Sequence, residues 1–221
     1  MSGEPPTLTT TSYAVLSLLS LRTWTTYELT QQMKRSLHWF WPRAESRIYE
    51  EPKKLVAHGY ALTDQRYTGR RRSTVYTITP RGRRALAAWV RAAGDTAPLL
   101  EFEAMVRVLS AQCVSVEDLR ELLRSVRDTM EQFIAFGEQQ DSENAATGGP
   151  FPERLHIIAL VHGFMSLYVD AIHRWAIWAL ELTNEWTDTT FCEDKQEAAR
   201  EILTMPVKTF AATAGRTALT S

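Results

Sequence analysis

Between Gly59 and Pro80 the apolar pattern changes its period. Upstream, Leu29 and Met33, then Ile48, Leu55 and Val56, recur at helical spacing. From Tyr60 onward the pattern alternates: Tyr60 and Leu62, then Tyr76 and Ile78, are separated by polar residues. Side chains return to one face every 3.6 residues in a helix and every two in a strand, so one pattern cannot serve as the other. The switch therefore places two strands after a helical segment, and few small folds accept that order.

The local signals fill in the rest. Thr9–Ser12 offers N-cap candidates, and Tyr13–Leu21 is apolar on nearly every side, as in a helix at the centre of its domain. Thr25-Thr26-Tyr27-Glu28 is a capping box that opens a second helix through about Arg35. His38–Pro42 is an aromatic connector. Pro42 then precedes a third helix to His58, with Gly59 as its stop. Thr68–Arg72, containing Gly69, reads as a hairpin loop, and Pro80 opens a fourth helix through about Ala93. Three helices, a two-stranded hairpin and a helix describe a winged helix-turn-helix.

Charge separates this region from the remainder. Of the 221 residues, 1–93 carry 15 Lys+Arg against 6 Asp+Glu, a net +9, whereas 94–221 carry 10 against 20, a net −10. A basic half joined to an acidic half points to a polyanion for the first and another task for the second. Arg70, Arg71 and Arg72 crowd the hairpin tip, where a duplex would relieve their repulsion. The plain alternative is a solubilising turn. On the third helix, Arg43 and Arg47 are the candidates for base contact, because arginine pairs bidentately with guanine. Ser46 suits base or phosphate; Tyr49, Lys53 and Lys54 suit phosphate contacts that set register. The alternative for each is a solvated helix face, with Glu50 and Lys54 as an i,i+4 pair.

Four blocks of this region are similar to the PadR-like family of bacterial transcriptional regulators. They are Tyr13–Leu19, Thr26-Tyr27-Glu28-Leu29, Ser46–Gly59 and Val75–Gly82. The resemblance covers about residues 9–93 and implies a homodimeric DNA-binding regulator, usually a repressor, whose C-terminal helices join two subunits. Two residues depart from the family pattern. Pro52 stands where an apolar core residue is common, and inside a helix it should kink or loosen the backbone. Thr26 replaces a glycine, with little effect expected.

The second half reads as all-helical. Ser115-x-x-Asp118 opens a helix whose Leu119, Leu122, Leu123, Val126, Met130, Phe133 and Ile134 face inward. Gly137–Pro152 reads as a loop. From Pro152 to Thr183 one apolar stripe runs Leu155, Ile158, His162, Met165, Val169, Ile172, Ala176, Ala179; a second runs Ile157, Leu160, Phe164, Tyr168, Ala171, Trp175, Trp178, Leu182. A helix with two apolar faces must be covered twice, and a second copy of the chain is the simplest second cover. Leu155, Ile158, Met165, Val169, Ile172 and Ala176 are the dimerisation candidates. Phe164, Tyr168, Trp175 and Trp178 are candidates for lining a pocket for a small aromatic effector; the competing reading is dimer core. Expected boundaries are 1–93 for the DNA-binding domain, 94–203 for the helical domain and 204–221 for a loose tail.

Other functions find little support. His162, Asp170, His173 and Arg174 make the long apolar stretch too polar for a membrane span. Cys113 and Cys192 form no disulfide framework or metal spacing, which fits a cytoplasmic protein. No Gly-rich nucleotide turn, nucleophile elbow or catalytic triad pattern is discernible, so neither an enzyme nor a cofactor is expected. The expectation is thus a regulator of palindromic duplex sites, with a winged-helix protein-interaction adaptor as the alternative.

Overall fold

The computed structural model describes residues 8–36, 41, 49–68, 71–92, 94 and 100–212, with only the backbone of Thr68 and Arg71. The chain divides into two compact units, Met1–Pro98 and Leu99–Ser221.

In the first unit, α1 (Thr10–Leu19) starts at Thr9, whose hydroxyl accepts from Ser12 N–H in a reciprocal capping box. Val15, Leu16 and Leu19 on α1 are essentially inaccessible, as expected for a central helix. A short strand, β1 (Trp24–Thr25), leads directly into α2 (Thr26–Ser36). The α2 capping box forms: Glu28 Oε2 accepts from Thr25 N–H at 2.8 Å, and Thr25 Oγ1 from Glu28 N–H at 3.2 Å. The N–H donated by Thr25 holds the Glu28 carboxyl below its ordinary range.

β1 escaped the sequence reading because it is two residues long. Its register, Trp24↔Tyr76 and Thr25↔Val75, makes the sheet three-stranded in the order β1-β3-β2, where β2 is Ala61–Thr68 and β3 is Arg71–Ile78. The hairpin is longer and tighter than its sequence suggests. Thr68 pairs with Arg71 and Tyr67 with Arg72, so Arg71 and Arg72 belong to a strand and not to the loop.

Helix α3 is Glu51–Ala57. Tyr49 and Glu50 form a turn, so no single helix runs from Pro42 to His58; residues 42–48 lie outside the described residues. Pro52 sits in the first turn of α3 and is buried. Amides there have no intrahelical acceptor, so the missing N–H costs nothing and the expected kink does not arise. Gly59 ends α3 with φ 72°, the left-handed conformation that glycine adopts freely.

Thr79 then ties three elements together. Its hydroxyl donates to Gly59 O at 2.8 Å and accepts from Gly82 N–H at 3.0 Å, capping α4 (Pro80–Arg91). Beneath α1, Glu51 is almost fully buried and accepts from Ser12 Oγ, which fixes the start of α3 to α1.

In the second unit, α5 (Glu103–Leu109) precedes α6 (Val116–Thr147). Ser115 and Asp118 form the expected capping box. Helix α6 continues straight through Gly137 and ends at Gly148, φ 77°, so the loop expected over Gly137–Pro152 shrinks to its last few residues. Helix α7 (Leu155–Asn184) packs along α6. Leu119, Leu123, Val126 and Met130 of α6 are buried, as are Ala176, Ile177 and Ala179 of α7. Arg120 closes the end of α7, donating to Thr183 O at 2.6 Å and Trp186 O at 2.9 Å.

By length and composition α7 is apolar enough to cross a membrane, contrary to the expectation from its polar residues. Two of those residues meet α6 carboxylates: His162 Nδ1 lies 3.1 Å from Asp141 and His173 Nε2 3.4 Å from Glu131. The other two, Asp170 and Arg174, pair with each other along α7 at 2.6 Å. Helix α8 (Glu193–Thr204) follows, and residues 207–212 are also helical, where a loose tail was expected.

Candidate nucleic-acid interface

The first turn of α3 presents Lys53 and Lys54 to solvent, with Tyr49 exposed in the turn before it. Lys53 Nζ donates to Glu50 at 2.8 Å; that bond raises the lysine and lowers the glutamate from their ordinary pKa values. Lys54 lies 3.6 Å from Glu51, so the expected Glu50–Lys54 pair is replaced by two i,i+3 pairs. The Lys53–Glu50 pair is exposed on both sides and therefore weak, so its ammonium group can be given up to a phosphate; Lys54 is exposed but faces a buried carboxylate. Arg43, Ser46 and Arg47 lie outside the described residues.

On the hairpin, Arg72 is exposed and its Nε donates to Gln65 Oε1 at 2.8 Å. Arg71 contributes its backbone to the ladder opposite Thr68, and Arg70 lies outside the described residues. Alternation along β3 puts Arg72, Thr74 and Tyr76 on one sheet face. Lys53 and Lys54 on α3 and Arg72 on the hairpin are thus exposed cations of the same unit.

Sequence reasoning missed Gln65, Arg66 and Tyr67, all exposed on β2. They become visible only once the strand is extended to Thr68 and its register with β3 is known. The exposed Tyr27 at the start of α2 was read only as part of a cap.

The dimerisation candidates divide. Leu155, Ile158, Met165 and Val169 are half-buried, but Ile172 and Ala176 pack with Ala104, Val126, Phe102 and Trp175 inside the chain. Ala176 has no exposed surface, so these two positions belong to the core of the second unit. The open apolar stripe is the other one. Its Ile157, Leu160 and Phe164 are exposed, as are the neighbouring Val161 and Leu167, with Leu160 72% and Leu167 71% exposed, whereas its Trp175 and Trp178 pack inside the chain. The effector candidates also separate. Phe164 stacks on Tyr168 with centroids 6.3 Å apart, Trp175 meets Phe102 edge-on, and Trp178 meets Phe210 edge-on at 4.8 Å.

Comparison with known proteins agrees with this architecture. Residues 15–88 match the Transcriptional regulator PadR-like family. The negative transcriptional regulator PadR of Bacillus subtilis (strain 168) is 27% identical over 113 residues, spanning 51% of this chain and 62% of that protein. Among solved structures, Bacillus subtilis PadR in complex with operator DNA superposes with TM-score 0.64 at 20% identity, covering 78% of this chain and 98% of that one. The same protein in complex with p-coumaric acid gives 0.58 at 20% identity, covering 81% and 99%. The Vibrio cholerae virulence activator AphA gives 0.60 at 22% identity, covering 79% and 98%. At such identities the structures attest the shared fold alone. Residues 15–88, about a third of this chain, thus carry the pattern of the PadR-like family of transcriptional regulators.

Proposed function

We propose that the protein is a cytoplasmic, homodimeric transcriptional regulator that binds a palindromic duplex site and represses until a small molecule releases it. The observation that carries the reading is the set of exposed cations in one basic unit, Lys53 and Lys54 on α3 and Arg72 on the hairpin. Tyr49 is exposed in the turn before α3, and Arg43, Ser46, Arg47, Arg70 and Arg71 are assigned to the same task from the sequence. A short helix flanked by a basic hairpin suits a groove and the adjacent phosphates, with base contacts assigned to Arg43 and Arg47.

Dimerisation is supported by the uncovered stripe of α7, which in water favours apolar cover. A second α7 offers the same stripe and satisfies two-fold symmetry. Two copies also supply two reading units for a palindrome. Repression follows the negative regulator that matches in sequence, although a structural neighbour is an activator. A small aromatic effector is suggested by the p-coumaric acid complex of that relative and by the aromatic residues of α7.

Selection of fragments bound from genomic DNA, with and without small aromatic acids, tests the reading. Enrichment of one palindrome, lost when an acid is added, is expected. No enrichment at all would leave the winged helix as a protein-binding adaptor.

A further inference from the structure

We propose that Gln65 is a positioning residue that holds the guanidinium of Arg72 ready for a DNA phosphate, making Arg72 the fixed cation of the hairpin. The proposal rests on the DNA-binding reading above. Residues paired across an antiparallel ladder share a face. Gln65 stands opposite Thr74 and Tyr67 opposite Arg72, on the face of Tyr76 and Ile78; Arg66 stands opposite Ser73 on the other face. The Gln65 amide is engaged at both ends. Its Oε1 accepts from Arg72 Nε at 2.8 Å, and its Nε2 reaches Thr74 Oγ1 at 3.4 Å.

Holding the guanidinium by Nε leaves its two Nη groups, which have no partner among the described residues. That pair is the edge with which arginine grips a phosphate through two parallel bonds. An arginine already oriented loses less side-chain freedom on binding than a free one. The identity of the holder matters too. A carboxylate at position 65 could hold the same nitrogen but would cancel the charge the phosphate needs, whereas a neutral amide orients the fork and leaves its charge intact. The nearest acidic residue on the strand, Asp64, pairs with Val75 on the opposite face. Tyr67, 65% exposed beside the fork, adds a ring and a hydroxyl to the same contact.

The test uses the full chain, a selected duplex and a salt series. Gln65→Thr keeps a good strand former, so its thermal midpoint should stay at the wild-type value. It should lose affinity about three- to tenfold, the worth of one orienting hydrogen bond. Its dependence on salt should not change, because Arg72 keeps its charge. Gln65→Glu should instead flatten the log–log salt slope by about 0.9, the loss of one phosphate contact. In an Arg72→Ala background, Gln65→Thr should cost nothing further. Wild-type binding by Gln65→Thr, or an equal cost with and without Arg72, would overturn the proposal alone. A wild-type chain that ignores every duplex would remove both this proposal and the reading beneath it.

Discussion

Gly82 shows what a single position can demand. It lies in the first turn of α4, where an added Cβ would stand 2.2 Å from Tyr60 O and 2.8 Å from Ile78 Cγ1. The string Thr79-Pro80-Arg81-Gly82 was readable as a cap, an N1 proline and a helix start. The need for glycine was not, because the carbonyl it accommodates comes from another turn, 22 residues earlier in the chain. Gly82→Ala should destabilise the first unit by about 1–3 kcal/mol through overpacking, as urea unfolding would measure.

Asp188 is a second such position. Thr190 Oγ1, Lys195 Nζ and Thr190 N–H all donate to its Oδ1 and hold the carboxyl well below its ordinary range. A lowered native pKa gives stability that is present above the unfolded value and lost as pH falls through the folded one. The turn before α8 should therefore persist in acid below the usual carboxylate titration at about pH 4. Amide exchange at Thr190 should show protection that survives to pH 3 in the wild type and is absent in Asp188→Ala, which has no acceptor.

At the scale of elements, local signals were legible and long-range ones were not. The capping boxes at Thr25 and Ser115 involve only neighbours in sequence, and both form as read. The Gly137–Pro152 loop did not materialise, because one glycine costs a helix only about 1 kcal/mol and the 32-residue α6 outweighs it through packing and length. Nothing lies within 4 Å of a Cβ built on Gly137. Gly137→Ala should thus stabilise the second unit by about 0.5–1 kcal/mol in denaturant unfolding. A neutral result would indicate that the segment is not helical in solution. On the hairpin, the arginine cluster was legible as basic. Its division between strand and turn depended on register, which composition does not carry.

At the scale of the whole molecule, the two stripes of α7 illustrate the limit of periodicity. Helical spacing identified both as apolar, but which one meets α6 and which one is left open depends on packing between distant segments. The structure packs Ile172 and Ala176 into the core of the second unit and leaves Leu160 and Phe164 exposed. Leu160→Asp should therefore yield a folded monomer in sedimentation with weakened binding to palindromic duplexes, whereas Ile172→Asp should lose helical signal altogether. A Leu160→Asp protein that remained dimeric would place the seam elsewhere. The charge division, +9 over residues 1–93 and −10 over the rest, was legible from the start and sets the division of labour proposed here.

That division has a direct thermodynamic signature. Each phosphate neutralised by a lysine or arginine releases counterions, so affinity for duplex DNA falls on a straight line in a log–log plot against salt. With about six such contacts, the plot of binding constant against salt between 50 and 200 mM should have a slope of about −5. Binding that is insensitive to salt, or no binding to any duplex at the lowest salt, would contradict the assignment of this chain to DNA.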